Sequence, residues 1–211
     1  MDKKSNPGRR LSGIWHEMRI TGGQIRGRRL AAPKNLEIRP SSNKVREAIF
    51  NIIGQDLSGS RVLDLFSGTG LLGMEALSRG ADLAVFVDHG TQSLALIKKN
   101  LALCGYEQSG RICKWNLTKG LPRNRPFLDT TYDLVFLDPP YRSGPTAGLM
   151  EELSVSEQLA PGALIVLESA KTVETEHVET RHAETRHALS LLETRIYGDT
   201  KLSFFKKGDY S

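Results

Sequence analysis

Cysteine is scarce in this chain. There are two in 211 residues, Cys104 and Cys113, and they form neither a CxxC pair nor a disulfide framework. That argues against a disulfide-stapled secreted scaffold and fits a reducing, cytoplasmic setting, with both thiols expected buried and free. Long apolar runs are missing too. None approaches the roughly 20 residues that a membrane helix needs, so no membrane partner is expected. The first 17 residues, MDKKSNPGRRLSGIWHE, are basic but hold no apolar stretch of the signal-peptide kind. Acidic residues are few near the start. Residues 1–50 carry 12 Lys and Arg against 4 Asp and Glu, whereas residues 51–211 carry 17 against 20. The overall charge of +5 is therefore a local property of the first quarter. A basic arm on a near-neutral body suggests a polyanionic partner.

What is present is a chain of one-domain length, 39% hydrophobic and 25% charged, which is the composition of a globular protein. Residues 1–17 lack periodicity and are expected as a disordered extension. Residues 18–40 hold short β-like pieces broken by Gly and Pro, with Arg19, Arg26, Arg28, Arg29, Lys34 and Arg39 spread among them. KVREAIFNII (44–53) places Val45, Ala48, Ile49, Ile52 and Ile53 on one helical face, with Ser42 or Asn43 as cap and Lys44 and Arg46 on the other face. Residues 18–53 are read as a basic extension and 54–211 as the main domain.

From there strand-like and helix-like segments alternate. Strands are predicted at 61–66, 83–88, 111–116, 132–138 and 162–169, and helices at 71–79, 91–104 and 146–159. Two final segments around Asp199-Thr200 read as a closing hairpin. This pattern predicts an α/β fold with a mostly parallel, doubly wound sheet and an antiparallel C-terminal hairpin. Residues 174–188, ETEHVETRHAETRHA, are a drifting five-residue repeat that carries His177, His182 and His187. A spacing of five turns each histidine about 140° from the last on a helix, so they share no face, and the segment reads as a polar insertion.

Two motifs carry chemistry. DLFSGTGLLG (64–73) contains Gly68-x-Gly70-x-x-Gly73 between a strand and a helix, and Asp88 closes the next strand 20 residues after Gly68. Alone, this permits a nicotinamide enzyme, with the acid on ribose hydroxyls. Asp64, four residues ahead of the first glycine, would repel a pyrophosphate and suits a ligand with an ammonium or sulfonium group. The second motif is LVFLDPPY (134–141), where a strand ends in Asp138, Pro139, Pro140 and Tyr141.

The order D-x-F-x-G-x-G, an acid ending the next strand, and D-P-P-Y resembles the class I S-adenosylmethionine-dependent methyltransferases of exocyclic amines. MRITGGQIRGRRL (18–30), RPSSNKVREAIFN (39–51) and VLDLFSGTGLLGMEALSRGA (62–81) narrow the likeness. Together they resemble the bacterial 16S rRNA guanine-N2 methyltransferase family, over roughly residues 18–168. The resemblance implies a Rossmann-like sheet and S-adenosyl-L-methionine as cofactor. It implies a guanine of 16S rRNA in the small ribosomal subunit, or its assembly intermediate, as substrate. Asp64, Phe66, Gly68 and Gly70 would line the methionine pocket, and Asp88 would hold the ribose. Ser67, His89 and Leu117 join the cofactor set. Asn116 stands where the family usually has an acid for the adenine amine, and its carbonyl oxygen is expected to accept in the acid's place. Asn43 replaces a usual Asp, and the serines before it replace threonines. The pattern begins at Met18, so residues 1–17 are an extension or Met18 is the start. Arg19, Arg26, Arg28, Arg29, Arg39, Lys44 and Arg46 are the expected RNA contacts. A monomer is expected.

The D-P-P-Y chemistry follows from the amine. The guanine 2-amine is a poor nucleophile because its lone pair is delocalised. Acceptors on both N–H bonds, off the ring plane, favour the pyramidal nitrogen that attacks. Asp138 can be one acceptor and the Pro139 carbonyl the other, while Pro140 has no N–H and aims that carbonyl, and Tyr141 can stack on the base. The sulfonium is already activated, so no metal is required. The rival readings are a DNA adenine-N6 methyltransferase, which shares the motif, a non-catalytic RNA-binding assembly factor, and a nicotinamide dehydrogenase.

Overall fold

The computed structural model describes residues 18–33, 43–140, 146–173 and 189–208. Thirteen elements follow one another: α1 (Asn43–Ile53), β1 (Arg61–Leu65), α2 (Leu71–Ser78), β2 (Leu83–Asp88), α3 (Thr91–Cys104), β3 (Gly110–Lys114), two 3-10 turns (Leu117–Lys119 and Phe127–Asp129), β4 (Tyr132–Leu137), α4 (Thr146–Val155), β5 (Leu159–Ala170), β6 (Leu189–Tyr197) and β7 (Thr200–Lys207). The sheet order is β3-β2-β1-β4-β5-β7-β6. The first five strands pair in parallel, and β7 joins β5 and β6 antiparallel. The predicted α/β sheet with a C-terminal hairpin is the observed one. No helix among the described residues is long and apolar enough to cross a membrane.

The sheet separates two apolar layers. One gathers α1, α2, α3 and residues 18–30 around Val62, Phe86, Phe136 and Val166. The other gathers α4 and the two 3-10 turns around Leu63, Val85, Val135 and Ile165. The central strands are buried on both faces and hence read as continuous apolar runs. Residues 18–30 form an irregular hairpin, with Ile20 N donating to Arg28 O and Leu30 N to Met18 O. Met18, Ile20 and Leu30 are buried in the first layer. The described part of the basic segment is thus built into the core on the α2 side.

Four sequence expectations shift. The helix expected over 146–159 ends at Val155, because Ser156 Oγ accepts from Gln158 N and Gln158 O accepts from Tyr132 N at 2.7 Å, opening the strand ladder early. β5 then absorbs Pro161 and Gly162 through a register irregularity opposite Tyr132 and Leu134. The strand expected to Asn116 stops at Lys114, and Asn116 caps the following 3-10 turn. On α1, Phe50 is fully buried and sits edge-on to Phe136 with centroids 5.8 Å apart. Arg46, expected on the outer face, is buried on the inner one.

Candidate active site

β1 and β4 stop at one level, β2 runs one residue further and β5 three residues further. Leu65 of β1 is in register with Val87 of β2 and with Leu137 of β4, and Leu137 with Leu167 of β5. The residues next along are Phe66, Asp88, Asp138 and Glu168. Parallel neighbours lie about 4.8 Å apart, so the glycine loop after β1 and the D-P-P turn after β4 start side by side. This is the crevice beyond the strand ends where ligands bind in open α/β sheets.

The loop is locked from below. Ser67 N donates to Val87 O, and Ser67 Oγ donates to Asp64 O at 2.5 Å. Gly70 N closes the turn on Ser67 O at 2.7 Å. Phe66 has φ 56°, the one left-handed non-glycine among the described residues. Strain of this kind persists where surrounding contacts over-determine the backbone, and it concentrates at functional loops. Gly68 and Gly70 take φ of 54° and 75°, which a residue with a side chain adopts at a cost.

Asp88 organises the second edge. Its Oδ2 accepts from Gly68 N at 2.9 Å and its Oδ1 from Gly90 N at 2.7 Å. It thereby ties the glycine loop to the start of α3, with His89 exposed beside it. Asp64 lies beneath the loop, 2% exposed, with Oδ2 accepting from Gly73 N at 3.1 Å. Burial pushes its pKa up to about 7, opposed by the Gly73 N–H and reinforced by the negative charge of Asp88. A buried carboxylate of this kind favours a cationic neighbour. The residues therefore fit the ammonium-bearing end of S-adenosylmethionine, with Asp88 level with the loop for a ribose.

Asn116 corrects one expectation. Its Oδ1 accepts from both Thr118 N, at 3.1 Å, and Thr118 Oγ1, at 2.9 Å. An amide oxygen has two lone pairs, and both are engaged in this cap. The side chain can offer its NH2 group to an adenine ring nitrogen, but its oxygen is committed. Leu117, next to it, is buried. Beyond β4, Asp138 is half-buried, Pro139 buried and Pro140 exposed. Tyr141 and Arg39 lie outside the described residues, as does the 174–188 repeat.

Among the basic residues, Arg26, Arg28, Arg29 and Lys44 are exposed, and Arg19 is half-buried. Arg28 lies near Cys104 and Tyr106 at the end of α3. Burial raises the pKa of both groups, and the charge of Arg28 opposes it. Arg28 thus lies toward the end of α3. Arg46 leaves the set of RNA contacts, because it is 0% exposed. Its Nη2 donates to Arg19 O at 2.7 Å and to Asn43 Oδ1 at 3.1 Å. Its Nε sits 3.3 Å from Glu75 Oε2, and its Nη1 has no hydrogen-bond partner. Glu75 also pairs with Arg79 at 2.7 Å and accepts from Thr21 N and Oγ1, while Arg79 stacks 4.4 Å over Phe50.

Sequence reasoning missed Glu75, Arg79 and Asn100. Asn100 is fully buried. Its Nδ2 donates to Thr69 O in the glycine loop at 3.0 Å, and its Oδ1 accepts from Ala31 N at 2.7 Å. It joins the N-terminal hairpin to the cofactor loop. An asparagine inside an otherwise amphipathic helix is the only local signal for it.

Strand order, glycine loop and the acid that ends β2 together define a class I methyltransferase, the fold class that uses S-adenosylmethionine. A family model described as conserved hypothetical protein 95 matches residues 18–206, and the chain belongs to that family. It is 33% identical over 190 residues to "Putative rRNA methyltransferase YlbH" of Bacillus subtilis, covering 90% of this chain and 99% of that protein. It is 35% identical over 153 residues to ribosomal RNA small subunit methyltransferase D of Escherichia coli, covering 72% of this chain and 75% of that protein. Among solved structures, "Putative methyltransferase yhhF" from Escherichia coli superposes with a TM-score of 0.73 at 29% identity, covering 91% of this chain and 98% of that one.

Proposed function

We propose that this protein transfers the methyl group of S-adenosylmethionine to the exocyclic N2 of a guanine in small-subunit rRNA. One observation carries the reading: the glycine loop of β1 and the Asp138-Pro139-Pro140 turn of β4 begin at registered positions on adjacent strands. A cofactor cradled at one and an amine held at the other meet within one strand spacing. The names of the relatives in Bacillus subtilis and Escherichia coli support rRNA as the substrate class.

When bound, the cofactor supplies an activated methyl group on a sulfonium. The chain supplies position and polarity. Asp64, beneath the loop, would hold the ammonium end, and Asp88 the ribose. The NH2 of Asn116 and Leu117 would hold the adenine. Asp138 accepts one amine hydrogen and the Pro139 carbonyl the other, and Tyr141 is assigned as the stacking platform. Holding nitrogen and methyl at reacting distance can supply about 7–11 kcal/mol. Asp138 takes the proton once methylation has made it acidic. The exposed arginines of the hairpin hold the RNA backbone, and a guanine presented in the small subunit or its assembly intermediate implies ribosomal proteins as neighbours.

Two measurements test this. Calorimetry should detect S-adenosylmethionine and no NADH, and the reverse result overturns the reading. Tritiated methyl transfer to small subunits from a strain lacking the gene, followed by mapping of the modified base, should yield N2-methylguanine in 16S rRNA. A methylated adenine would select the rival assignment.

A further inference from the structure

We propose that Glu168 is a specificity-determining residue that accepts the N1–H of the target guanine beside Asp138, an inference that rests on the function proposed above. The last register pair between β4 and β5 is Leu137 with Leu167, and the next positions along are Asp138 and Glu168. Across the sheet Glu168 pairs with Leu202 of β7. Leu202 belongs to the same apolar layer as Phe136 and Val166, the layer under α1 and α2. Strand alternation therefore sends the Glu168 side chain out on that side. Asp64 leaves β1 on the same side, being in register with Phe136. Glu168 is 6% exposed, in a strand flanked on both edges. It is an acid in an inward position that a sheet ordinarily fills with an apolar residue, one strand spacing from the turn assigned to the amine.

The base edge explains why a second carboxylate is useful there. Guanine presents two adjacent donors, N1–H and the 2-amine. Adenine and cytosine, the other amine-bearing bases, place a bare ring nitrogen beside the amine. Asp138 and the Pro139 carbonyl grip an amine and cannot tell these bases apart. A carboxylate next to them accepts N1–H from guanine and repels the lone pair of an unprotonated ring nitrogen. Discrimination built on a polar group that the wrong ligand leaves unpaired is far stronger than discrimination by shape. Glu168 thus supplies the choice of base, and Asp138 the hold on the amine.

The test uses small subunits reconstituted with either guanine or 2,6-diaminopurine at the mapped position. Diaminopurine keeps the 2-amine but has no N1–H. The wild-type protein should methylate it about 10- to 100-fold more slowly than guanine, the cost of a missing charge-assisted hydrogen bond. In Glu168→Gln the amide can donate to the bare N1, and the ratio should shrink to within about threefold. Affinity for S-adenosylhomocysteine, measured by calorimetry, should match the wild type and show that the variant is folded. Equal wild-type rates on the two bases overturn the inference and leave the proposed function standing, and so does an unchanged ratio in a folded Glu168→Gln. Should Glu168→Gln fail to fold, the wild-type ratio alone decides. A wild-type protein that methylates no guanine in native subunits overturns the functional reading and the inference with it.

Discussion

The Asp64 carboxyl combines full burial with a pKa raised to about 7, which links fold stability to pH at a single side chain and, in the proposed enzyme, to cofactor binding. In an unfolded chain such a group titrates near about 4. The folded protein holds the proton more tightly, so the contribution of Asp64 to stability is fully present below pH of about 4 and is lost as pH rises to about 7. A bound ammonium group acts in the opposite sense, because it favours the ionised form. Cofactor affinity should therefore rise with pH up to about 7 and level off, while the thermal midpoint of the free protein falls over the same range. Asp64→Asn should flatten both profiles. Identical profiles in wild type and variant would mean that another group sets them. At Asp138 the expectation differs. Asp138→Ala should abolish methyl transfer while largely keeping affinity for S-adenosylhomocysteine, and near-normal turnover removes the residue from the reaction. Asp64, Asp88 and the D-P-P turn were legible in the sequence because strand, loop and acid are contiguous. Asn116 was only half legible. Its type was plain, but the commitment of its oxygen depends on Thr118 closing a turn, which no pattern announced.

Between elements, stability depends on polar groups whose partners are far apart in the chain. Glu75 on α2 serves two arginines, one on α1 and one at the end of α2, and the backbone of Thr21 in the N-terminal hairpin. Burial lowers the pKa of Arg46, opposed mainly by the Glu75 charge. Removing the shared anion strands two buried cations, so Glu75→Gln should cost about 3–5 kcal/mol in urea unfolding. Arg46→Met should cost clearly less, since it leaves the Glu75–Arg79 pair intact. An equal cost would mean that Arg46 contributes through packing. The hairpin also approaches α2 closely at Gly23, where φ is +75° and an added Cβ would lie 1.8 Å from Ser78 O. Gly23→Ala should therefore lower stability by about 2 kcal/mol or more, read as a drop in thermal midpoint. A helical wheel could not reveal the Arg46 arrangement. It assumes that charge faces water, and the anion that reverses the assumption lies 29 positions further along the sequence. The alternation of strands and helices was readable because period 2 and period 3.6 are local signals. The start of β5 was not, because Pro161 and Gly162 look like a turn until a bulge accommodates them.

Considered whole, the molecule carries three exposed arginines on its N-terminal hairpin. Arg26, Arg28 and Arg29 are exposed on the hairpin that packs against α2 and α3, whereas the strand ends carry the acids. RNA bound by the proposed enzyme would run from the α2–α3 side up to the crevice. Neutralising the three arginines together should weaken RNA binding at low salt. The slope of log affinity against log salt should flatten by about one unit for each phosphate that the variant no longer neutralises. Cofactor binding should be untouched. An unchanged slope would place the RNA elsewhere on the surface.

The position of β7 has a consequence for synthesis. It is made after every other strand of the sheet, yet it lies between β5 and β6. While the chain is still growing, β5 has one bare edge and β6 has no partner at all. The sheet closes only when residues 200–207 leave the ribosome, and their arrival completes both ladders at once. Lys207 then anchors the end, its Nζ donating to Ser156 O at 2.6 Å and Leu159 O at 3.1 Å. A nascent chain stopped before Thr200 would hold the strand ends of the pocket on a sheet still lacking the strand between β5 and β6.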